Sequence, residues 1–143
     1  MLSGLVALAV AALFTGAALY INLAEQPARL KLDDRALLIQ WQAAYKRGFA
    51  MQASLAVLGF LCGAVAWWQT DRLAFLFGAL VLLSNWPYTL LGIMPTNKAL
   101  MATDPANPGP AGRALIERWA LLHALRTALG LGATLIFLGA LAS

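Results

Sequence analysis

Long apolar stretches alternate with shorter polar segments along the chain. Four stretches contain the roughly 20 residues that a helix needs to cross about 30 Å of hydrocarbon. These spans cover about residues 2–24, 48–68, 73–94 and 120–141. Since consecutive spans cross in opposite directions, the pattern predicts an all-α, integral membrane four-helix bundle with up-down-up-down topology. We interpret residues 1–143 as a single transmembrane domain.

Polar sequence ahead of spans two and four predicts that both helices begin outside the membrane. Asp33 and Asp34 suit the N-terminus of a helix, where acidic groups face the positive end of the dipole, and the predicted helix covers 35–69. Pro110 suits the first turn of the last helix, predicted over 111–141. The second and fourth helices are therefore expected to extend on the cytoplasmic side.

Composition separates this chain from soluble proteins. Hydrophobic residues make up 62% of it and charged residues only 11%, whereas soluble domains are about 25% charged. The formal net charge of +4 could suit a nucleic acid, but most of the basic residues lie in the segments between spans. We interpret them as signals of orientation, so the expected partner is the lipid bilayer and not nucleic acid.

Loop charge predicts how the bundle sits in the membrane. The segments 25–47 and 95–118 contain eight Lys and Arg residues, and the opposite side has only Arg72. Positive charge in short loops favours the cytoplasm. We therefore expect an inner (plasma) membrane protein with these two segments cytoplasmic and both termini extracytoplasmic.

Ionisable groups enter the fourth span. Trp119, His123, Arg126, Thr127 and Gly130 are spaced to form one stripe of a helix, which we expect to face protein and not lipid. An arginine inside a membrane helix costs several kcal/mol unless it is paired or hydrated, so such a stripe is a candidate functional site. The alternative is that Arg126 snorkels to the interface and His123 completes a buried hydrogen bond.

The end of the first span is also polar. Asn22, Glu25 and Arg29 share one helix face if Pro27 kinks the helix and does not end it. On that face Glu25 is the expected counter-ion of Arg126. The alternative is an ordinary interfacial helix end.

The third span ends in a polar, proline-containing segment, residues 84–97. Pro87 removes a backbone donor, so a kink beside a cavity is expected there. The helix should break or restart after Pro95. The alternative is a kinked helix whose polar groups serve packing.

The polar groups of all four helices meet at the cytoplasmic end of such a bundle, where they can form one amphipathic cavity. The candidate substrate-binding residues are Asn22, Glu25, Tyr45, Asn97 and Trp119, and the candidate catalytic residues are His123 and Arg126. One histidine and the apolar setting of Cys62 argue against a metal site. Proton transfer remains: His123 acts as a base, and Arg126 and the Asn amides stabilise an oxyanion.

Three segments, 22–27, 85–97 and 118–127, together with the pairing of Arg118-Trp119 and His123, resemble the anthrone oxygenase-like family of small membrane proteins, long classified as a domain of unknown function. The resemblance covers nearly the whole chain. It implies a four-helix fold and the conversion of anthrones to anthraquinones by molecular oxygen, with no evident cofactor.

Both lines of reasoning lead to one hypothesis, a cofactor-independent monooxygenase that deprotonates a flat phenolic or ketone substrate. Whether the chain is an enzyme stays open, because a non-catalytic protein could bind a lipid, a quinone or a partner in the same cavity. A transporter is disfavoured by small size and the lack of internal repeats. Gly59 and Gly63 form a GxxxG pattern that lets a helix approach closely, and this leaves a homo-oligomer open.

Overall fold

The computed structural model describes residues 1–142, and this part of the chain is helical without any strand. Its four helices are α1 (Leu2–Arg29), α2 (Asp34–Thr70), α3 (Leu73–Ala102) and α4 (Gly109–Ala142), each long and apolar enough to cross a membrane. Each helix packs mainly against two others, in the cyclic order α1, α2, α3, α4. The predicted all-α membrane bundle is confirmed.

The helix boundaries agree with local signals. The Asp33 carboxylate accepts a hydrogen bond of 2.9 Å from the backbone N–H of Ala36 and so caps α2. Asp71 adopts a left-handed conformation with φ 56°, which ends α2 and begins the short connection to α3. Gly109 has φ +58° at the start of α4, a conformation that glycine adopts without strain. As predicted, α2 and α4 extend well beyond their apolar spans.

Pro27 and Pro95 lie inside helices, and neither one ends its helix. A π-helical turn, Ile21–Glu25, lies just before Pro27 in α1, and a second, Thr89–Ile93, lies just before Pro95 in α3. Proline cannot donate to the carbonyl four residues earlier, and the wider turns accommodate this. α3 therefore continues to Ala102 without a break at Pro95, and the α-helix restarts at Met94 after the π-helical turn, with Pro95 in its first turn.

The helix near Pro87 is distorted in the predicted region. A turn at Ser84 separates two α-helical parts of α3, Leu73–Leu83 and Asn85–Tyr88. The Ser84 hydroxyl donates to the carbonyl of Val81, and the Asn85 amide donates to that of Leu82. These two polar side chains thus stabilise the distorted backbone inside an apolar helix.

Small residues hold the helices together at the end of the bundle nearest the termini. Phe14, Phe75 and Phe137 are fully buried there among alanines. A Cβ atom added to Gly63 would lie 2.8 Å from Ala79 Cβ and 2.9 Å from the Phe137 ring. A Cβ atom on Gly59 would likewise contact Leu82 and Val10, so the GxxxG pattern serves contacts within this chain.

Larger side chains fill the opposite end, near the two longer loops. This second core contains Leu37, Leu38, Trp41, Ile93, Leu100, Ile116 and Trp119. Arg113, at the start of α4, pairs with Asp34 at 2.6 Å and donates to the carbonyls of Leu30 and Leu32. These bonds fix the start of α4 against the α1–α2 connection.

Candidate active site

The polar stripe predicted on α4 is buried. Trp119, His123, Arg126, Thr127 and Gly130 all belong to the inward face of the helix, while Leu121 on the opposite face is 78% exposed. His123 is 2% exposed and Arg126 is 6% exposed. Neither side chain faces lipid, so snorkelling does not account for Arg126.

The stripe borders a cavity of about 290 Å³ at the loop end of the bundle. Six of the seven predicted site residues line it, namely Glu25, Tyr45, Asn97, Trp119, His123 and Arg126. Asn22, predicted to bind substrate, does not line it. Further lining residues are Ala17, Tyr20, Ile21, Arg29, Trp41, Ala44, Gly48, Phe49, Met51, Gln52 and Ile93. The volume is at the lower end of the range of small-molecule sites.

Asn22 lies behind His123. Its amide nitrogen donates to the Ala120 carbonyl at 3.1 Å, which fixes the amide orientation. The Asn22 Oδ1 atom therefore points the other way and accepts from the Thr127 hydroxyl at 2.8 Å. His123 Nδ1 lies 2.8 Å from the same oxygen, and an oxygen acceptor requires the proton to be on Nδ1. The lone pair of the neutral ring is then on Nε2.

Aromatic rings form one wall of the cavity. Trp41 stacks on Tyr45 with ring centroids 4.9 Å apart, and Trp119 meets Trp41 edge to face at 5.6 Å. Trp119 Nε1 donates to Asn97 Oδ1 at 2.9 Å, which fixes the indole. The Trp119 and His123 rings are 4.8 Å apart. Such a wall suits a flat aromatic ligand lying beside the imidazole.

Arg126 lacks the carboxylate partner predicted for it. Its guanidinium lies 5.7 Å from the Phe14 ring, and its Nε atom has no hydrogen-bond partner within residues 1–142. Glu25 pairs instead with Arg29 at 2.5 Å and also accepts from Gln40 at 2.9 Å. The i,i+4 spacing of Glu25 and Arg29 makes this pair local to α1, and Gln40 of α2 bonds to both side chains.

Among the lining residues that were not predicted, three carry buried polar groups: Arg29, Trp41 and Gln52. Arg29, which the sequence placed only on the α1 face, is buried and lies 5.7 Å from the Trp119 ring. Trp41, a residue type typical of the headgroup level, is instead 1% exposed. Gln52 is equally buried, and its one signal was a polar amide within the apolar second span. The Nε1 atom of Trp41 and the Nε2 atom of Gln52 have no hydrogen-bond partner in the described chain.

The residues that line the cavity include several with hydrogen-bond donors, among them Trp41, Gln52 and Arg126. His123 Nε2 is the ring nitrogen that is not bonded to Asn22, and it is the available base. Within residues 1–142 no three His, Cys, Asp or Glu side chains group closely enough to hold a metal ion. The arrangement can accept a proton and bind an oxygen anion, which is what enolate formation requires.

Comparison with known proteins matches this chain to one family. The sequence model described as anthrone oxygenase matches residues 41–136, which is more than half of the chain. A curated anthrone oxygenase from Claviceps purpurea (strain 20.1) is 34% identical over 117 residues, covering 72% of this chain and 67% of the relative. No solved structure matches significantly.

Proposed function

This chain belongs to the anthrone oxygenase family, and we propose that it is a membrane-embedded, cofactor-independent oxygenase acting on a flat phenolic ketone of the anthrone type. The observation that carries the proposal is the His123–Asn22 hydrogen bond of 2.8 Å, which leaves the Nε2 lone pair of a cavity-lining imidazole available as a base. The aromatic wall supplies a surface for the rings of the substrate, and the Arg126 cation supplies a counter-charge for its oxygen anion.

The first step is proton transfer. His123 Nε2 takes one proton from the methylene carbon that lies opposite the ketone in the central ring. The electron pair of the broken C–H bond is delocalised through the flanking aromatic rings onto the ketone oxygen as an enolate. Arg126, whose Nε lacks a partner in the described chain, stabilises this oxygen. A cation in a low-dielectric cavity lowers the free energy of the developing charge more than it would in water.

Oxygen then completes the reaction. The enolate carbon forms a C–O bond to molecular oxygen, and the His123 imidazolium protonates the distal oxygen to give a hydroperoxide. Removal of the second proton from the same carbon forms the new C=O bond and breaks the O–O bond. The hydroxide released takes the proton held by His123 and leaves as water. In total, one CH₂ group and O₂ become one C=O group and H₂O.

Oxygen uptake tests the proposal. Purified protein in lipid vesicles is given an anthrone, and the spontaneous oxidation measured with empty vesicles is subtracted. The wild-type protein should accelerate oxygen uptake. In His123→Gln the rate of catalysed uptake should fall about 100-fold, which is a usual contribution of a general base. Thr134→Val is the matched control, because Thr134 lies on α4 but bonds to Thr15 away from the cavity.

Two outcomes would contradict this function. No acceleration by folded wild-type protein would leave the alternative, a protein that binds a lipid, quinone or partner without chemistry. If His123→Gln and Thr134→Val reduced the rate of oxygen uptake equally, the loss would reflect a general effect of substitutions in α4. It would then give no support to His123 as the base.

A further inference from the structure

The exposed residues around the cavity all lie on two helices. The lining residues of α3 and α4 are buried, namely Ile93, Asn97, Trp119, His123 and Arg126. In contrast, Tyr20 on α1 is 62% exposed and Met51 on α2 is 49% exposed, although both line the same cavity. The cavity therefore opens between α1 and α2, and not through the α3–α4 side of the bundle.

Small residues produce this opening. Nearer the termini α1 and α2 are in close contact, and a Cβ atom on Gly59 of α2 would lie 3.3 Å from Val10 of α1. At the level of the cavity the facing positions are Ala17 on α1 and Ala44 and Gly48 on α2. A Cβ atom on Gly48 would meet nothing within 4 Å. The gap thus exists because these positions lack the side chains that would fill it.

The opening lies at the edge of the apolar zone. Exposed Leu13 and Leu23 flank Tyr20 along α1, as a lipid-facing surface requires. On α2 the residues just before Gly48 are Lys46 and Arg47, both on the exposed side. Basic side chains of this kind mark the headgroup region. The gap between Tyr20 and Met51 therefore faces the hydrocarbon just beneath the headgroups.

We infer that the gap bounded by Ala17, Tyr20, Gly48 and Met51 is a lateral portal through which an apolar, membrane-dissolved aromatic molecule passes between the bilayer and the cavity. Gly48 sets its width. The inference concerns access to the cavity and holds whether or not the cavity performs chemistry, so it can fail independently of the proposed oxygenase activity.

A portal residue has a distinctive kinetic signature. Narrowing the passage raises the barrier for entering and leaving alike, so association and dissociation slow by the same factor and the Kd is unchanged. A residue that contacts the bound ligand changes the Kd instead. The Gly48→Leu variant places a branched side chain in the gap, and we expect both rate constants to fall about tenfold, since ~1.4 kcal/mol of added barrier gives that factor.

The experiment uses the full chain in lipid vesicles with anthraquinone as an unreactive, flat, three-ring probe. Binding is followed by stopped-flow quenching of tryptophan fluorescence, because Trp41 and Trp119 line the cavity. Gly16→Leu is the matched control: Gly16 is exposed on α1, has no atom within 4 Å of an added Cβ, and does not line the cavity. It should leave both rate constants unchanged.

Two further measurements keep the test decisive. Met51→Ala widens the gap and should increase both rate constants. This variant tests the portal even if Gly48→Leu fails to fold. The smaller probe naphthoquinone should be slowed less than anthraquinone by Gly48→Leu. The portal would be contradicted if Gly48→Leu had the same rate constants as Gly16→Leu. It would also be contradicted if Gly48→Leu changed the Kd and left the association rate constant unchanged.

Discussion

His123 and Asn22 come from opposite ends of the sequence and lie within 2.8 Å of each other, Nδ1 to Oδ1, where α4 passes α1. The Asn22 oxygen also accepts from Thr127, and its amide nitrogen donates to Ala120. Asn22 thus holds the imidazole in one tautomer and orientation while remaining outside the cavity. A partner behind a functional histidine commonly plays this part.

Asn22→Leu removes that partner without altering the cavity wall. We expect kcat to fall by roughly tenfold to a hundredfold, as is usual for partners that orient a histidine, while KM changes little. Steady-state oxygen uptake with an anthrone measures both constants. Thr127→Val is the comparison, because it removes the other bond to the Asn22 oxygen and leaves the acceptor of His123 in place. A raised KM with normal kcat would show that Asn22 contacts the ligand after all.

Arg126→Met should fold, since the methionine keeps much of the apolar stem and the described chain loses no ion pair. It should weaken binding of a deprotonated hydroxyanthraquinone by about 2 kcal/mol or more, because a buried anion then lacks its cation. Arg126→Lys keeps the charge but not the planar fork and should rescue binding only partly. Affinity is measured in detergent with monodisperse protein.

Arg72→Met controls for the loss of a cation elsewhere. Arg72 donates to the Ala140 carbonyl at the far end of the bundle, so its removal should leave affinity unchanged. Equal affinities for wild type, Arg126→Met and Arg126→Lys would exclude Arg126 from the binding site.

Gly63→Ala should destabilise the bundle. Alanine favours a helix by about 1 kcal/mol over glycine, but its Cβ would lie 2.8 Å from Ala79 and 2.9 Å from Phe137. Overpacking of this kind costs about 1–3 kcal/mol, so the net free energy of unfolding should fall. Unfolding by denaturant in mixed micelles measures it. Gly139→Ala, at a position with open space, should be neutral or stabilising, and a similar loss there would contradict the packing account.

The charge of the two longer loops predicts orientation. A reporter active only in the cytoplasm should be active when inserted in the 104–110 loop and inactive when fused to either terminus. The opposite pattern would reverse the assignment and place the loop end of the cavity on the outer side. Replacing the Lys and Arg residues of these two loops with neutral residues, while Arg72 is kept, tests whether the loop charge determines the orientation.

Periodicity and span length were enough to predict the four helices and the inward face of α4. An apolar stretch of about 20 residues can bury its backbone polar groups only as a helix in lipid, so these elements do not depend on tertiary contacts. The stripe from Trp119 to Gly130 likewise results from helical geometry alone. Its position in the interior was predictable because exposing a charged side chain and an imidazole to hydrocarbon has a high free-energy cost.

Contacts between helices were decided by the tertiary structure. Sequence spacing placed Asn22, Glu25 and Arg29 on one face, but the π-helical turn Ile21–Glu25 adds a residue to that turn and changes the direction of the later side chains of α1. Asn22 lies within this turn and reaches His123 of α4, a contact between helices that regular spacing cannot predict. Glu25 pairs with Arg29 of its own helix at the i,i+4 spacing and not with Arg126.

The cavity and its opening depend on tertiary structure for the same reason. Trp41 and Gln52 look like ordinary interface and span residues in the sequence, and only the packing of the four helices shows that both line the cavity. A Cβ atom on Gly48 would meet nothing within 4 Å, and only the structure shows that this open space borders the cavity. The sequence by itself thus determined the helices and their buried faces, because these depend on local period and hydrophobicity. Only the tertiary structure decided which polar groups meet and where the cavity opens, because these depend on helix register and separation.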